Sequence, residues 1–325
     1  MAAPRGPIGR WWLRILRPIR GWGMIGLMEL MRALPMRTAT NGVAAIARRL
    51  GPRMGASRIA RRNLDRAFPG LARAERERIV AEMWDDLSRT VCEYAHLKTI
   101  VDDAANRVEI VGGEHLDALR EDGKPGIIFS AHLASWEMVT LAARMRGLPV
   151  NVVYRNANNL LLDEYIRKLQ SVSGAALIRK GVRGARRLLQ VMQSGGHVIM
   201  LVDQKMNEGI AVPFFGRQAM TAPALAQLAL RYECPVVPVH VERLGDTRFR
   251  VICEPPLALP KTGDRDADVL ALMTAVNRRM EVWIRARPEH WLWLHRRWPK
   301  DEDGGGAGPM LRQAQDEANN KQSSS

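Results

Sequence analysis

The sequence is poor in cysteine, with three in 325 residues: Cys92, Cys234 and Cys253. They contain no Cys-x-x-Cys pair and cannot build a disulfide framework. Cys234 and Cys253 lie in apolar, strand-like surroundings, so we expect them to be buried thiols. This usage suits a reducing compartment and indicates the cytoplasmic side of a membrane.

The sequence also lacks an apolar run long enough for a clear membrane span. The longest part of the N-terminal region without a basic residue is Gly21 to Met31, and it contains Glu29. A spanning helix needs roughly 20 apolar residues, so a transmembrane helix is not favoured. Arg14, Arg17 and Arg20 interrupt any signal-peptide core. The sequence has no internal repeat. It also has no Gly-x-Ser-x-Gly motif, so it does not indicate a serine nucleophile on a strand-to-helix turn.

The chain is instead strongly basic, with a formal net charge of +15. Residues 1–66 hold 14 Arg and no Lys against two acids, a local net charge of +12. This block predicts an anionic partner: nucleic acid, an anionic membrane surface or an acidic protein. Within it, residues 11–36 mix Trp, Leu, Ile and Met with Arg, which is typical of a helix at the bilayer interface. A tilted span and an amphipathic helix packed on its own domain are the alternatives.

The pattern along the chain predicts three parts. Residues 1–36 form the membrane-associating segment and residues 37–300 the main domain. Residues 301–325 are acidic and Gly-rich, then rich in Gln, Asn and Ser, which predicts a disordered tail. In the main domain, residues 37–110 have helical spacing, and strands then alternate with helices from about residue 124. This alternation predicts an α/β fold with a mixed, largely parallel central sheet flanked by helices.

Polar side chains follow four of the predicted strands. His132 comes just after the apolar run Gly126–Ser130 and opens a predicted helix that extends to Arg146. The other three are Arg155, Arg179 and Asp203. The carboxyl ends of parallel strands meet at one edge, where sites form in α/β sheets. A structural His at a helix start and an Asp that caps a turn are the alternatives.

Two further stretches could contribute to a site. Glu137 lies five positions after His132, and a carboxylate near an imidazole stabilises its protonated form, as a general base requires. Val212–Gly216 contains Phe214 and Phe215, and predicts either the wall of an acyl-chain pocket or a loop that plugs the core. The ending 288–298 combines Trp with Arg. Stacking on nucleic acid is one interpretation of it, but a membrane-interface or core position is favoured.

Taken together, these motifs resemble the bacterial lipid A biosynthesis acyltransferases. The matching landmarks occur in the family's order and cover roughly residues 10–300. They are Ala131-His132 with Trp136-Glu137, Tyr154-Arg155 with Asn156 and Asn159, Asp203-Gln204, Pro213-Phe214-Phe215-Gly216 with Thr221, Pro235 to Pro238, and Pro288 to Trp298. A His followed five positions later by an acid is shared with glycerolipid acyltransferases, whereas the Phe-Phe-Gly loop and the Trp-rich ending are more specific.

The resemblance implies a glycerolipid-acyltransferase-like fold and acyl transfer from acyl carrier protein to a lipid A precursor that carries Kdo sugars. His132 would act as the general base, with Glu137 orienting and stabilising its imidazole, and no acyl-enzyme, cofactor or metal would take part. The resemblance also implies substrate-binding residues: Arg155, Arg179, Asp203, Gln204, Phe214 and Phe215. The enzyme would work at the cytoplasmic face of the inner membrane and would not bind nucleic acid.

Electrostatic complementarity supports part of this assignment. Acyl carrier protein is acidic, so a basic surface would steer it. The acceptor carries phosphates in the membrane, which suits arginines near the bilayer. Two alternatives stay open: a related membrane acyltransferase whose acceptor is a lysophospholipid, a mannoside or an amino-acid lipid, and a basic binding protein without catalysis.

Overall fold

The computed structural model describes residues 21–154, 159–245 and 247–299. The strands in this part are β1 Val108–Val111, β2 Gly126–Ser130, β3 Val150–Tyr154, β4 Ala176–Arg179, β5 His197–Leu201, β6 Lys205–Phe214, β7 Arg217–Thr221, β8 Val236–Gly245 and β9 Arg248–Cys253. The first helix is α1, residues 21–33. The others are α2 Met36–Leu50, α3 Ser57–Ala67, α4 Arg73–Ala95, α5 Leu97–Asp102, α6 Ala104–Arg107, α7 Glu114–Glu121, α8 Glu137–Met145, α9 Leu160–Gln170, α10 Val182–Gln193, α11 Ala224–Tyr232 and α12 Arg265–Ala286.

Seven strands form the central sheet, in the order β1-β9-β8-β2-β5-β3-β4. Strands β8, β2, β5, β3 and β4 run parallel to one another. The hairpin partner β9 is antiparallel to β8, and β1 is parallel to β9. The predicted α/β fold with a mixed, largely parallel sheet is therefore confirmed. Strands β6 and β7 form a separate hairpin.

The central strands are buried on both faces, which explains why they are nearly continuous apolar runs. Side chains alternate between the two faces: Ile127 and Phe129 face one core cluster and Ile128 faces the other. The first cluster includes helices α11 and α12, and the second includes α7 and α8. Helices thus cover both faces, and the carboxyl ends of the strands are left open for a site.

Helix α1 packs against the body of the protein by one face only. Met28 and Met31 are buried in a third cluster with residues of α2 and α4. Trp22, Leu27 and Leu30 are exposed on its other side. Among the described residues, no helix has both the length and the hydrophobicity to cross a membrane. The first 20 residues of the predicted membrane-associating segment and the predicted tail, 301–325, lie outside the described residues.

Three details differ from the sequence predictions. The helix expected to begin at His132 begins at Glu137, because Ala134 has a positive φ of 45° and no helix can continue through it. Strand β1 was not expected in the helical region 37–110. The stretch around Phe214 belongs to the β6–β7 hairpin, whose turn residues Phe215 and Gly216 both have positive φ.

Candidate active site

The loop between β2 and α8 carries His132 and is held by backbone hydrogen bonds to the Trp-rich ending. The Leu292 N–H donates to the His132 carbonyl at 3.1 Å, and the Ala134 N–H donates to the His290 carbonyl at 3.0 Å. Thr90 Oγ1 on α4 donates to the Ala134 carbonyl at 3.1 Å. These contacts on both sides stabilise the strained Ala134 conformation and thereby fix the position of His132.

Asp203 is the carboxylate that holds the imidazole of His132. Its Oδ1 lies 2.8 Å from His132 Nδ1, and its Oδ2 accepts the His132 backbone N–H at 3.0 Å. The indole Nε1 of Trp291 also donates to Oδ2, at 2.8 Å. The pair forms because β2 and β5 are parallel neighbours, with Ser130 in register with Leu201 just before the two loops.

The electrostatics of Asp203 fix the tautomer of His132. Burial disfavours the charged form of Asp203, yet the His132 charge, its two hydrogen bonds and the Trp291 indole hold the pKa of Asp203 well below its usual value. An ionised carboxylate can only accept, so His132 Nδ1 must carry a proton. Nε2 of the neutral ring then keeps its lone pair. Gln204 Nε2 lies 3.3 Å from this nitrogen and 3.0 Å from His295 Nε2.

Glu137 does not hold the imidazole, which corrects the expectation that it orients His132. Its Oε1 accepts from Tyr94 Oη at 2.5 Å and from Gln170 Nε2 at 2.8 Å. Glu137 lies on the first turn of α8 and points towards α4 and α9, whereas Asp203 follows the strand beside His132. Burial raises the pKa of Glu137, although the bonds from Tyr94 and Gln170 and the charge of His132 oppose the rise.

A cavity of about 400 Å³ lies in front of the imidazole, and we call it the His132 cavity. His132, Glu137, Gln204 and His295 line it. The remaining lining residues come from α4, α8 and the residue before it, α9, strands β3 and β5, and the residue after β4: Tyr94, Trp136, Thr140, Val152, Val153, Tyr154, Asp163, Ile166, Arg167, Gln170, Lys180, Ile199 and Leu201. A hydroxyl group bound in this cavity would replace Gln204 as the hydrogen-bond partner of His132 Nε2.

A second cavity of about 540 Å³ adjoins the first, and we call it the apolar cavity. The two share four lining residues: Val153, Lys180, Leu201 and Gln204. Most of its wall is aliphatic, with Ile178, Leu188, Met200, Val202 and Leu225 among the lining side chains. A mostly apolar pocket beside a polar one can hold a ligand with a long hydrocarbon part.

The remaining predicted site residues do not all line the same cavity. Gln204 lies between the two cavities. Arg179 lines the apolar cavity but not the His132 cavity, and it donates to Tyr154 Oη at 3.0 Å and to Asp163 at 2.9 Å. Arg155 follows β3 in sequence but lies outside the described residues.

Phe214 and Phe215 line neither cavity, which corrects their assignment to substrate binding. The ring of Phe214 packs 5.7 Å from both Trp291 and Trp298, and the ring of Phe215 packs 5.3 Å from Phe68. The hairpin turn directs both rings into the core. Since the three Trp side chains of the ending are buried as well, the core interpretation of that segment is confirmed.

Four residues of the site were not singled out from the sequence as members of it. Trp291 and His295 belong to the Trp-rich ending, so that motif could have indicated that the ending contributes to the site. Tyr94 and Gln170 are single polar residues on helices α4 and α9, and no local pattern distinguishes them. They become recognisable only when folding brings them to Glu137.

The fold and the site define an α/β enzyme with a His–Asp pair at the carboxyl ends of parallel strands, facing a polar cavity and an adjoining apolar one. The chain belongs to a family described as bacterial lipid A biosynthesis acyltransferase, whose sequence model matches residues 7–300. It is therefore an acyltransferase of lipid A biosynthesis.

Individual relatives agree with the family. The chain is 26% identical to the Lipid A biosynthesis lauroyltransferase of Escherichia coli, over 91% of this chain and 94% of the relative. It is 24% identical to the myristoyltransferase of the same species, over 76% of each chain. It is 25% identical to the palmitoleoyltransferase, over 76% of this chain and 83% of the relative.

One solved structure, the 1-acyl-sn-glycerophosphate acyltransferase of Thermotoga maritima, is similar over 83% of this chain and 98% of its own. The identity is 13% and the TM-score is 0.38, a similarity too low to support an argument.

Proposed function

We propose that this enzyme transfers a fatty acyl chain from the thioester of acyl carrier protein to a hydroxyl group of a Kdo-bearing lipid A precursor, with His132 as the general base. The observation that carries the proposal is the hydrogen bond of 2.8 Å between His132 Nδ1 and the buried Asp203. This bond leaves Nε2 able to take a proton in a cavity large enough for reacting groups.

The reaction follows from this geometry. Nε2 takes the proton of the acceptor hydroxyl while its oxygen attacks the thioester carbonyl carbon. The new C–O bond forms, the C–S bond breaks, and the leaving thiolate receives the proton from the imidazolium. The acyl group passes directly to the acceptor, so the proposal needs no acyl-enzyme intermediate, metal or cofactor.

The two carboxylates have separate roles in this proposal. Asp203 holds the productive tautomer and stabilises the imidazolium that forms during the reaction. Glu137 also lines the cavity, and in its ionised form it would add a second negative charge that favours the same imidazolium. Burial raises its pKa, while the hydrogen bonds from Tyr94 and Gln170 favour the ionised form.

The acyl chain would occupy the apolar cavity, in place of the pocket expected behind Phe214 and Phe215. Its aliphatic wall and its junction with the His132 cavity at Gln204 support this assignment. Arg179 on its rim, together with Arg155, would bind phosphate groups of the donor or the acceptor.

The enzyme would work at the cytoplasmic face of the inner membrane. Its acceptor is a lipid, and α1 turns Trp22, Leu27 and Leu30 outward, as an interfacial helix does. The excess of positive charge in residues 1–66 favours both an anionic membrane surface and the acidic carrier protein.

The proposal is tested by acyl transfer from acyl carrier protein to a purified precursor. His132→Ala should abolish transfer, while His115→Ala, on helix α7 and outside the lining of both cavities, should retain it. Mass spectrometry of lipid A from cells lacking the enzyme should show one secondary acyl chain missing. Full activity of the His132→Ala protein would overturn the mechanism, and unchanged lipid A in those cells would overturn the acceptor.

A further inference from the structure

Helix α10 forms one wall of the apolar cavity. Three of its residues and the glycine before it line this cavity at helical spacing: Gly181, Gly184, Ala185 and Leu188. A Cβ added at Gly184 would lie 1.5 Å from the Arg179 carbonyl oxygen, so only glycine lets α10 lie this close to the end of β4. The helix is therefore held directly against the rim of the cavity.

The face of α10 turned away from the cavity carries three exposed arginines: Arg183, Arg186 and Arg187. Their spacing of three and four positions places them side by side on the helix, on the side opposite to Gly184 and Leu188. None of the three forms an ion pair with another described residue, and α10 itself contains no acid. We call this surface the α10 basic face.

The α10 basic face belongs to a stretch of the chain without acids. Residues 165–202 contain seven Lys and Arg and no Asp or Glu. Two of these cations, Arg179 and Lys180, line the apolar cavity, where Glu208 is the one acid among the described lining residues. Positive charge thus extends from the outer face of α10 to the rim of the cavity, and this arrangement attracts an anionic partner.

The α10 basic face lacks the apolar surface of a membrane-inserting helix. Val182 is the one large hydrophobic side chain of α10 that is exposed. The others pack in or against the core: Leu188, Leu189, Val191 and Met192. An interfacial helix needs an apolar face to enter the bilayer. Arginines on a convex, water-exposed face instead suit an acidic protein, because charges at the rim of an interface attract and orient such a partner.

We propose that the α10 basic face is the docking surface for the acidic carrier protein that delivers the acyl chain. This inference rests on the proposed function, because it names the surface that receives acyl carrier protein. The same helix presents arginines on one side and lines the proposed acyl-chain cavity on the other. A carrier protein docked on α10 would therefore hold its thioester-bound chain beside the cavity that takes it up.

The test measures the KM for acyl carrier protein, loaded with the acyl chain that the wild type transfers fastest, and the Kd of the unloaded carrier by fluorescence anisotropy. Two variants of the full chain replace Arg183, Arg186 and Arg187 together, one with Gln and one with Lys. The control carries Arg231→Gln, Arg265→Gln and Arg278→Gln, which removes the same charge from exposed sites elsewhere. None of the replaced residues lines either cavity, and circular dichroism melts verify that every variant is folded.

We expect the Gln variant to raise both the KM and the Kd for the carrier protein about tenfold, with little change in kcat, while the control changes little. The Lys variant should stay within about twofold of the wild type, because it keeps the charge that attracts an acidic protein. Added salt should weaken carrier binding by the wild type more than binding by the Gln variant, because salt screens exposed charges.

A wild type that transfers no acyl chain from the carrier protein would overturn the proposed function. An active wild type with the same KM and Kd as the Gln variant would overturn the α10 basic face alone. An equal loss in the Lys and Gln variants would also overturn it, because charge would then not be the cause. Unchanged KM with weaker binding of the Gln variant to vesicles of equimolar phosphatidylcholine and phosphatidylglycerol would show that the face meets a bilayer instead.

Discussion

At the scale of single residues, the position of His132 depends on buried neighbours rather than on its own segment. Asp203 receives three hydrogen bonds, from the His132 ring, the His132 backbone and the Trp291 indole. One carboxylate thus fixes both the ring and the backbone of the proposed general base. Such a partner must be ionised, and the lowered pKa of Asp203 ensures this at physiological pH.

The first prediction concerns Asp203→Asn. The amide keeps the size of the side chain but removes the charge that selects the Nδ1–H tautomer and stabilises the imidazolium. We expect kcat for acyl transfer to fall roughly 10²- to 10⁴-fold, with a smaller change in KM. Steady-state kinetics measure this, with Asp122→Asn on the exposed end of α7 as the control. A wild-type kcat in Asp203→Asn would exclude Asp203 from the mechanism.

At the scale of elements, the site is assembled where three separate segments meet. The loop after β2 brings His132, the loop after β5 brings Asp203, and the C-terminal segment brings Trp291 and His295. Helix α3 supports the last of these through Asn63, which is buried and bonded to two of its carbonyl groups. Helix α3 therefore supports a segment that lines the proposed catalytic cavity.

Asn63→Ala tests the importance of this support. It leaves the carbonyl groups of Trp293 and His295 without their donor, so we expect the free energy of unfolding to fall by about 1–3 kcal/mol. The kcat/KM should fall too, because His295 lines the His132 cavity. Urea unfolding and kinetics measure the two effects, with the exposed Asn106→Ala as the control. A loss of stability with unchanged kinetics would show that α3 supports the fold but not the site.

The apolar cavity leads to a prediction about acyl-chain length. Ala222, between β7 and α11, lines this cavity with a small side chain. Ala222→Leu fills part of the volume, so kcat/KM should fall more for long acyl chains than for short ones. Competition between acyl carrier proteins loaded with chains of different length measures the shift. An equal loss for all chain lengths would place the acyl chain elsewhere.

At the scale of the whole molecule, the partly buried His240 makes stability depend on pH. Burial lowers the pKa of His240 from 6.5 to about 4, although Glu254 opposes this. The unfolded chain therefore binds a proton between pH 6.5 and 4 that the folded protein does not. The contribution of neutral His240 to the free energy of unfolding is fully present above pH 6.5 and is lost as the pH falls towards 4.

The measurement is urea unfolding across this pH range. The His240 contribution should be of the order of 3 kcal/mol. His240→Phe keeps the stacking on Trp283, whose ring centroid lies 4.9 Å away, but has no titrating group. Its stability should fall less steeply than that of the wild type as the pH is lowered. Identical slopes would exclude His240 as a source of the pH dependence.

The sequence predicted the fold class and most elements because buried parallel strands must be apolar runs and the surface helices must be amphipathic. It also placed His132 and Asp203 beyond strand ends, and the order of the parallel strands brings those ends together. The concentration of arginine in residues 1–66 was evident from counting charges alone. These properties depend on short stretches of the chain, so they can be predicted from a single sequence.

Only the tertiary structure decided which groups touch. Glu137 is five residues from His132 in sequence, yet the carboxylate that contacts the imidazole belongs to Asp203, 71 residues away. His132 and Asp203 follow neighbouring strands, whereas Glu137 lies on a helix turn and points towards α4 and α9. In the same way, Phe214 and Phe215 pack in the core instead of lining a pocket, because a hairpin turn directs their rings inward. Side-chain direction depends on the packing of distant segments, and that information exists only after the chain has folded.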